Sequence, residues 1–131
     1  MGLNKARFTA PNATLLGDKL SIGEGTWIGF YCLLDGQVSE LEIGESCDLS
    51  SGCQIYTHST HLRCVGLGEK IIGPVKIEDH VFIGANSIIL PNTRIGHNSI
   101  VGALSLVQGD FPPHSLIVGS PARRAKKQLQ K

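Results

Sequence analysis

The sequence predicts an all-β chain wound as a parallel β-helix of about four to five triangular coils, with one long ejected loop and a short C-terminal helix. Three observations carry that prediction. An aliphatic residue recurs every six positions, glycine often stands directly behind it, and a small or β-branched residue follows four positions on.

The aliphatic positions are Leu16, Ile22, Ile28 and Leu34, then Ile43, Leu49 and Ile55, then Ile77, Ile83, Ile89, Ile95, Val101 and Val107. The trailing glycines are Gly17, Gly23, Gly29, Gly44, Gly84, Gly96 and Gly102. The small slot holds Thr26, Cys32, Cys47, Cys53, Ser59, Val81, Ser87, Thr93, Ser99 and Ser105, with Leu20 and Phe111 as poorer fits. Neither a helical period of 3.6 nor a strand alternation of 2 produces this order. A unit of six is a short strand, a corner and the next strand, with one large side chain pointing inward. Three units close a coil of eighteen residues, and parallel backbone pairing stacks such coils about 4.8 Å apart. The small slot lies near the corner, where a larger side chain would collide with the next coil.

The beat fails twice. Leu34 to Ile43 is nine residues, three too many, and Ile55 to Ile77 is twenty-two, sixteen too many. The second break, "CQIYTHSTHLRCVGLGEKIIG", carries His58 and His61. Closing a long loop costs little more entropy than closing a short one, and long irregular loops in compact domains are commonly functional or disordered. His58 follows Ile55 by three residues, which places it at a corner on the outside of the coil. Asp35, in "LLDG", stands at the first break, where a turn aspartate before glycine is the plain reading.

Composition bounds the rest. The 131 residues make one domain, 1–131, with coils over 14–111, the ejected loop over about 58–74 and a basic tail over 120–131. A net charge of +1 gives no electrostatic case for nucleic acid or an anionic membrane. No apolar run approaches the roughly 18 residues of a transmembrane segment, and the N-terminus lacks a signal-peptide core, so a cytoplasmic address is expected. Cys32, Cys47 and Cys53 fall in the inward slot as compact hydrophobes; only Cys64 has no place in the repeat. The tail "SPARRAKKQLQK" reads as a short helix with Ser120 as cap and Pro121 in the first turn.

The stretches "IGEGTWIGF", "LEIGESCDLSSGCQIYTHST", "VKIEDHVFIGANSIILPNTRIGHNSIVGALSLV" and "IVGSPAR" resemble the hexapeptide-repeat acyltransferases, and within them the sugar and polysaccharide O-acetyltransferases related to the galactoside and maltose acetyltransferases. The resemblance spans roughly residues 14–126. It implies a left-handed coil, against the usual right-handed crossover, a homotrimer, and acetyl-CoA as co-substrate with no metal. It also implies acetyl transfer to a hydroxyl of a polysaccharide, lipopolysaccharide or small saccharide. The acceptor and acyl-CoA would meet in a groove between subunits, with the histidine of the ejected loop as general base. Imidazole suits that proton transfer near neutrality. By the resemblance His58 is the base, with His61 as the alternative, and Asp35 orients the base or binds a sugar hydroxyl. Ala85 in "IGAN" and Ala103 in "VGAL" would line the pantetheine arm, Ala85 N–H serving the oxyanion, with Leu104 where glycine is common. Arg123 and Lys126 would face the phosphates of CoA.

Other readings of the same residues stay open here. One is an N-acyltransferase for an amino sugar or a nucleotide-linked amino sugar. Others are a β-helix carbonic anhydrase-like metal enzyme built on His61 and His97, a non-catalytic scaffold, or an acyl relay through Cys64. His80 and His97 read as solvated corner residues, and His114 in "DFPPHS" belongs to the exit from the last coil.

Overall fold

The computed structural model describes residues 3–126 and residue 129. Its short strands stack into three parallel sheets, the three faces of a prism. One face stacks Leu20–Ile22, Leu41–Ile43, Val75–Ile77, Thr93–Ile95 and Asp110–Phe111. The second stacks Phe8–Thr9, Trp27–Ile28, Asp48–Leu49, Phe82–Ile83, Ile100–Val101 and Leu116–Gly119. The third stacks Thr14–Leu16, Leu33–Asp35, Gln54–Ile55, Ile88–Ile89 and Leu106–Val107.

The register follows the predicted period. Val75 pairs with Thr93, eighteen residues on; Leu20 pairs with Leu41 across the short break and Leu41 with Val75 across the long one. Both breaks are therefore ejected without disturbing the stack. The coils also extend further than expected, from the Phe8 strand to the Ile117 strand. Three positions differ from the periodic reading, and the first is Phe111, which pairs with Ile95 sixteen residues back and so takes the inward aliphatic place rather than the small slot. Leu15, not Leu16, lies against Leu34 and packs on the core, and the displaced residue is taken up at Gly17, whose φ is +82°. Ser59 lies on the ejected arm rather than in the interior slot, because the chain has already left the coil at Thr57.

The core is the stacked ladder itself. Ile28, Leu49, Ile83 and Val101 fill one column and Leu34, Ile55, Ile89 and Val107 another, all 0% exposed. Burying each is worth about 1.5–3 kcal/mol. The small slots behind the corners are polar but satisfied: the hydroxyls of Ser87 and Ser105 both donate to Gly102 O at 2.8 Å. Cys32 and Cys53 stack with sulfurs 3.5 Å apart. Sharing its proton with Cys32 and sitting in the dry core push the Cys53 thiol far above its ordinary range. Corners turn through residues in the left-handed region, among them Tyr31, His80, Asn86, Leu104 and His114 at φ of 56–62°. Coils approach so closely at these corners that a Cβ on Gly84 would lie 2.4 Å from Ala103 N.

The three faces differ outside. The first presents Ser21, Glu42, Lys76, Arg94 and Asp110 in register and is charged. The second presents Phe8, Trp27, Asp48, Phe82, Ile100 and Leu116, with Phe8 and Trp27 stacked at 4.1 Å between centroids. The third presents Leu33, Gln54, Ile88 and Leu106. We call them the charged, aromatic and aliphatic faces. Among the described residues, no helix is long and apolar enough to cross a membrane.

The tail departs from the expected helix. After Gly119, Ala122–Arg124 turns back as a strand antiparallel to Leu116–Gly119, with Val118 opposite Arg123 and Ala122 packed on the core. The last strand of the aromatic face is an edge with unpaired backbone groups, and a returning strand satisfies them where a solvated helix would not. The same tail carries Lys127, Gln128, Gln130 and Lys131, which lie outside the described residues.

Candidate active site

The two breaks in the repeat meet at one corner, between the aliphatic and charged faces. In an uninterrupted coil the residue after the inward aliphatic faces outward. Asp35 occupies that position but is only 1% exposed, because the three extra residues bend over it. The cover is tight: a Cβ on Gly36 would lie 2.8 Å from both N and Cβ of Leu20, so the bend needs glycine there. Beneath it the Asp35 carboxylate accepts from Gln37 N–H at 3.1 Å through Oδ1 and from Thr57 N–H at 3.3 Å through Oδ2.

The longer break leaves the coil one turn further along and forms an arm. Its root is a two-stranded antiparallel ribbon in which His58 pairs with Ile72 and Ser59 with Ile71. Gly73 N–H closes the mouth on Thr57 O at 3.1 Å. A single helical turn, His61–Cys64, caps the arm and buries no side chain. His58 therefore stands on the paired root, not on the open tip.

His58 Nδ1 lies 2.7 Å from Asp35 Oδ2. An ionised carboxylate only accepts, so Nδ1 carries the proton and Nε2 keeps its lone pair. The imidazole is a third exposed while the carboxylate behind it is enclosed. This arrangement fixes ring, tautomer and direction, the same logic by which a buried aspartate serves the histidine of a hydrolase triad. His61, the alternative base, is exposed, and its Nδ1 meets Ser59 Oγ at 2.7 Å. A hydroxyl holds the ring but supplies no charge to stabilise an imidazolium.

Ala85 and Ala103 stack on adjacent coils at a different corner, between the aromatic and aliphatic faces, where Leu104 N–H donates to Ala85 O at 3.0 Å. Among the described residues, neither alanine N–H has a hydrogen-bond acceptor. Above Ala103 the column continues to Gly119, whose N–H reaches Ser105 Oγ at 3.2 Å, and then to the returning strand with Arg123 and Arg124. Lys126 follows that strand and is exposed. Lower on the aromatic face, Arg7, Trp27, Phe30, Asp48, Ser50 and Phe82 line a shallow cleft of about 380 Å³. A larger groove of about 690 Å³ runs past Glu24, Glu45, Glu78, Asp79 and His97 at the remaining corner, away from His58.

The remaining histidines sit where the repeat is unbroken. His97 and His114 meet edge to face at 5.2 Å between centroids, and His80 is an exposed corner residue at φ 56°. Among the described residues, no three His, Cys, Asp or Glu side chains converge as metal ligands. Cys64 is exposed on the arm. Sequence reasoning placed Asp35 and His58 but missed Thr57, which is fully buried between them. Its signal was available: Thr57 is the residue at which the coil is left.

Comparison with known proteins agrees with this architecture. Residues 74–109 match the bacterial transferase hexapeptide model, a motif of six repeats. The hexapeptide-repeat acetyltransferase of Vibrio cholerae superposes with a TM-score of 0.85 at 32% identity, over 100% of this chain and 74% of that one. It has also been crystallised with acetyl coenzyme A. A maltose O-acetyltransferase from Clostridium difficile 630 superposes with a TM-score of 0.78 at 33% identity, over 99% and 70%. The carnitine operon protein CaiE of Salmonella agona is 34% identical over 88% of this chain and 62% of its own length. The chain spans about three-fifths of the length of the curated relatives it matches. With its register, its corner geometry and these likenesses together, the chain belongs to the hexapeptide-repeat transferase family.

Proposed function

We propose that the protein transfers an acetyl group from acetyl coenzyme A to a hydroxyl of a saccharide, with His58 as general base and Asp35 as the carboxylate that orients it. The observation that carries this reading is the 2.7 Å contact between His58 Nδ1 and a carboxylate that is 1% exposed. A hydroxyl is a poor nucleophile until its proton is removed, and an imidazole held in one tautomer is the apparatus for removing it. An amine acceptor needs that apparatus less, which favours O- over N-acetylation. The resemblance of this chain to the maltose O-acetyltransferase supports the same choice.

In the reaction the acceptor oxygen attacks the thioester carbonyl while His58 Nε2 takes its proton. The tetrahedral oxyanion accepts from Ala85 N–H, which is free for it. Collapse breaks the carbon–sulfur bond, and the imidazolium returns the proton to the departing thiolate. The column from Ala85 through Ala103 to Arg123 and Lys126 offers amides at one end and cations at the other, matching a ligand with a thioester at one end and phosphates at the other. The aromatic cleft, with Trp27, Phe82, Asp48 and Ser50, has the aromatic and hydroxyl-binding chemistry of a saccharide site.

Base and amide column occupy different corners of one prism, so they act together only if a neighbouring copy brings its own corner to the arm. This supports a homotrimer in which each cleft is shared, and exposed Val65, Leu67 and Ile72 give the arm an apolar surface for that contact. The need for acetyl coenzyme A as co-substrate supports a cytoplasmic address.

The test is release of free coenzyme A thiol from acetyl coenzyme A against neutral sugars, nucleotide sugars and their amino counterparts, with the particle mass measured by sedimentation equilibrium. Acceptor-dependent release with a hydroxyl sugar from a trimer is the expected result. No release with any acceptor, or release from a stable monomer, sinks the reading.

A further inference from the structure

Thr57 stands where the longer break leaves the coil, and it also touches the shorter one. It is 0% exposed. Its Oγ1 lies 3.1 Å from the backbone O of Asp35 and 3.4 Å from Asp35 Oδ2, and it accepts from Ser39 N–H at 3.3 Å. Its own N–H donates to Asp35 Oδ2 at 3.3 Å. Ser39 is part of the bend that covers Asp35, and His58 is the next residue along the chain.

A threonine hydroxyl has one proton and two lone pairs. The proton goes to Asp35, whose backbone and carboxylate oxygens are its acceptors, and a lone pair takes Ser39 N–H. The β-branched side chain is stiff about χ1, so the hydroxyl cannot swing from one task to the other. One buried group thus pins the cover, the carboxylate and the start of the arm to each other.

We propose that Thr57 is a positioning residue for the Asp35–His58 pair, holding Asp35 Oδ2 in line with His58 Nδ1 so that Nε2 stays the basic nitrogen. This rests on the reading of His58 as the base. Thr57→Val keeps the shape, removes the donor to Asp35 and leaves Ser39 N–H without its acceptor. The carboxylate then keeps Gln37 N–H and Thr57 N–H but loses the hydroxyl at 3.4 Å, and its cover loses the anchor at Ser39, so Oδ2 is held less firmly against the ring.

The experiment pairs steady-state kinetics with NMR of the His58 ring, in which the hydrogen-bonded Nδ1 proton and the ring nitrogens report the tautomer. In Thr57→Val, kcat is expected to fall roughly tenfold, the scale of a hydrogen bond to a charged group. KM for acetyl coenzyme A is expected to stay unchanged, and the Nδ1 proton signal to broaden or vanish. Thr57→Ser is expected to restore the signal and bring kcat to within about twofold of the parent, since it restores the hydroxyl. A valine variant with parental turnover, or one that loses turnover with the signal intact, overturns the proposal. Should the valine chain not fold, Thr57→Cys, with a weaker donor in nearly the same volume, takes its place, and an undiminished signal and turnover there also overturn it. If the parent has the Nδ1 signal and the valine variant loses it while neither transfers acetyl, the positioning role stands and the acetyltransferase reading falls.

Discussion

At the root of the arm a buried carboxylate, Asp35, takes the ring Nδ1 of His58 at 2.7 Å. At the corner between the charged and aromatic faces a half-buried carboxylate, Glu78, takes the backbone N–H of His97 at 2.9 Å and pairs with Arg94. The ring of His97 is left with Asn98 Oδ1 at 3.0 Å and the edge of His114. Both corners thus hold a histidine and a carboxylate on the same scaffold. The difference lies in which atom the carboxylate takes and whether water reaches it. Glu78 spends its charge on a guanidinium and a turn amide, so it props up a corner. Among the described residues, Asp35 pairs with no cation other than the imidazolium that proton transfer would create. Irregularity is what allows this: an unbroken hexapeptide coil has no room for a buried acid, and the three-residue bend makes the room.

The widest separation between the corners comes from removing each ring. His58→Ala is expected to lower kcat by about 10²–10⁴, the range that a positioned base contributes, with acetyl coenzyme A binding nearly intact by calorimetry. His97→Ala is expected to leave kcat within twofold. Equal turnover in parent and His58→Ala would erase the distinction, and a large loss in His97→Ala would transfer the chemistry to the other corner.

A smaller effect is expected from Asp35→Asn. The amide keeps the volume and, with its oxygen in the Oδ1 place, the bond from Gln37 N–H, but its NH₂ then faces Nδ1, gives up the bond from Thr57 N–H and turns the ring to the tautomer with Nε2 protonated. A loss of roughly 10² in kcat with little change in either KM is the expected pattern for a group that acts through its neighbour. A change confined to the saccharide KM would instead make Asp35 an acceptor ligand.

How much of this was legible beforehand follows from the physics of the repeat. The period of six dictates strand, corner and inward residue, so the prism and its ladder were readable, as were the two places where it breaks. The period selects Leu16, six residues before Ile22, and only the pairing with Leu34 shows that its neighbour Leu15 takes the inward place. Asp35 and His58 were readable as residues at breaks. The resemblance left Asp35 either orienting the base or binding a sugar hydroxyl, and the sequence could not choose, since the contact depends on a bend that buries one and a ribbon that aims the other. Thr57 was hidden for the same reason: its role is a set of contacts 18 and 22 residues away in sequence. The tail was misread because Ser-Pro followed by basic residues is locally a helix start, whereas the open edge above Leu116–Gly119 is a tertiary fact.

The smallest expected effect tests the supporting role given to Glu78. Its hydrogen bond from Arg94, aided by His97 N–H, holds the carboxyl below its ordinary value of 4.5. A group whose pKa is depressed on folding adds stability above its unfolded value, and that stability is lost as the pH falls through the folded one. Arg94 is more than half exposed, so screening by solvent keeps the contribution small. Glu78→Gln is therefore expected to melt a degree or a few lower than the parent at pH 7. The two melting curves should converge as the pH drops below 4.5 and the parent's carboxylate takes up its proton. Turnover at pH 7 should not change, since nothing at this corner touches the arm. Curves that stay parallel down to acid pH would mean that Glu78 contributes through packing rather than charge, and a loss of turnover would mean that the two corners are coupled through the coils between them.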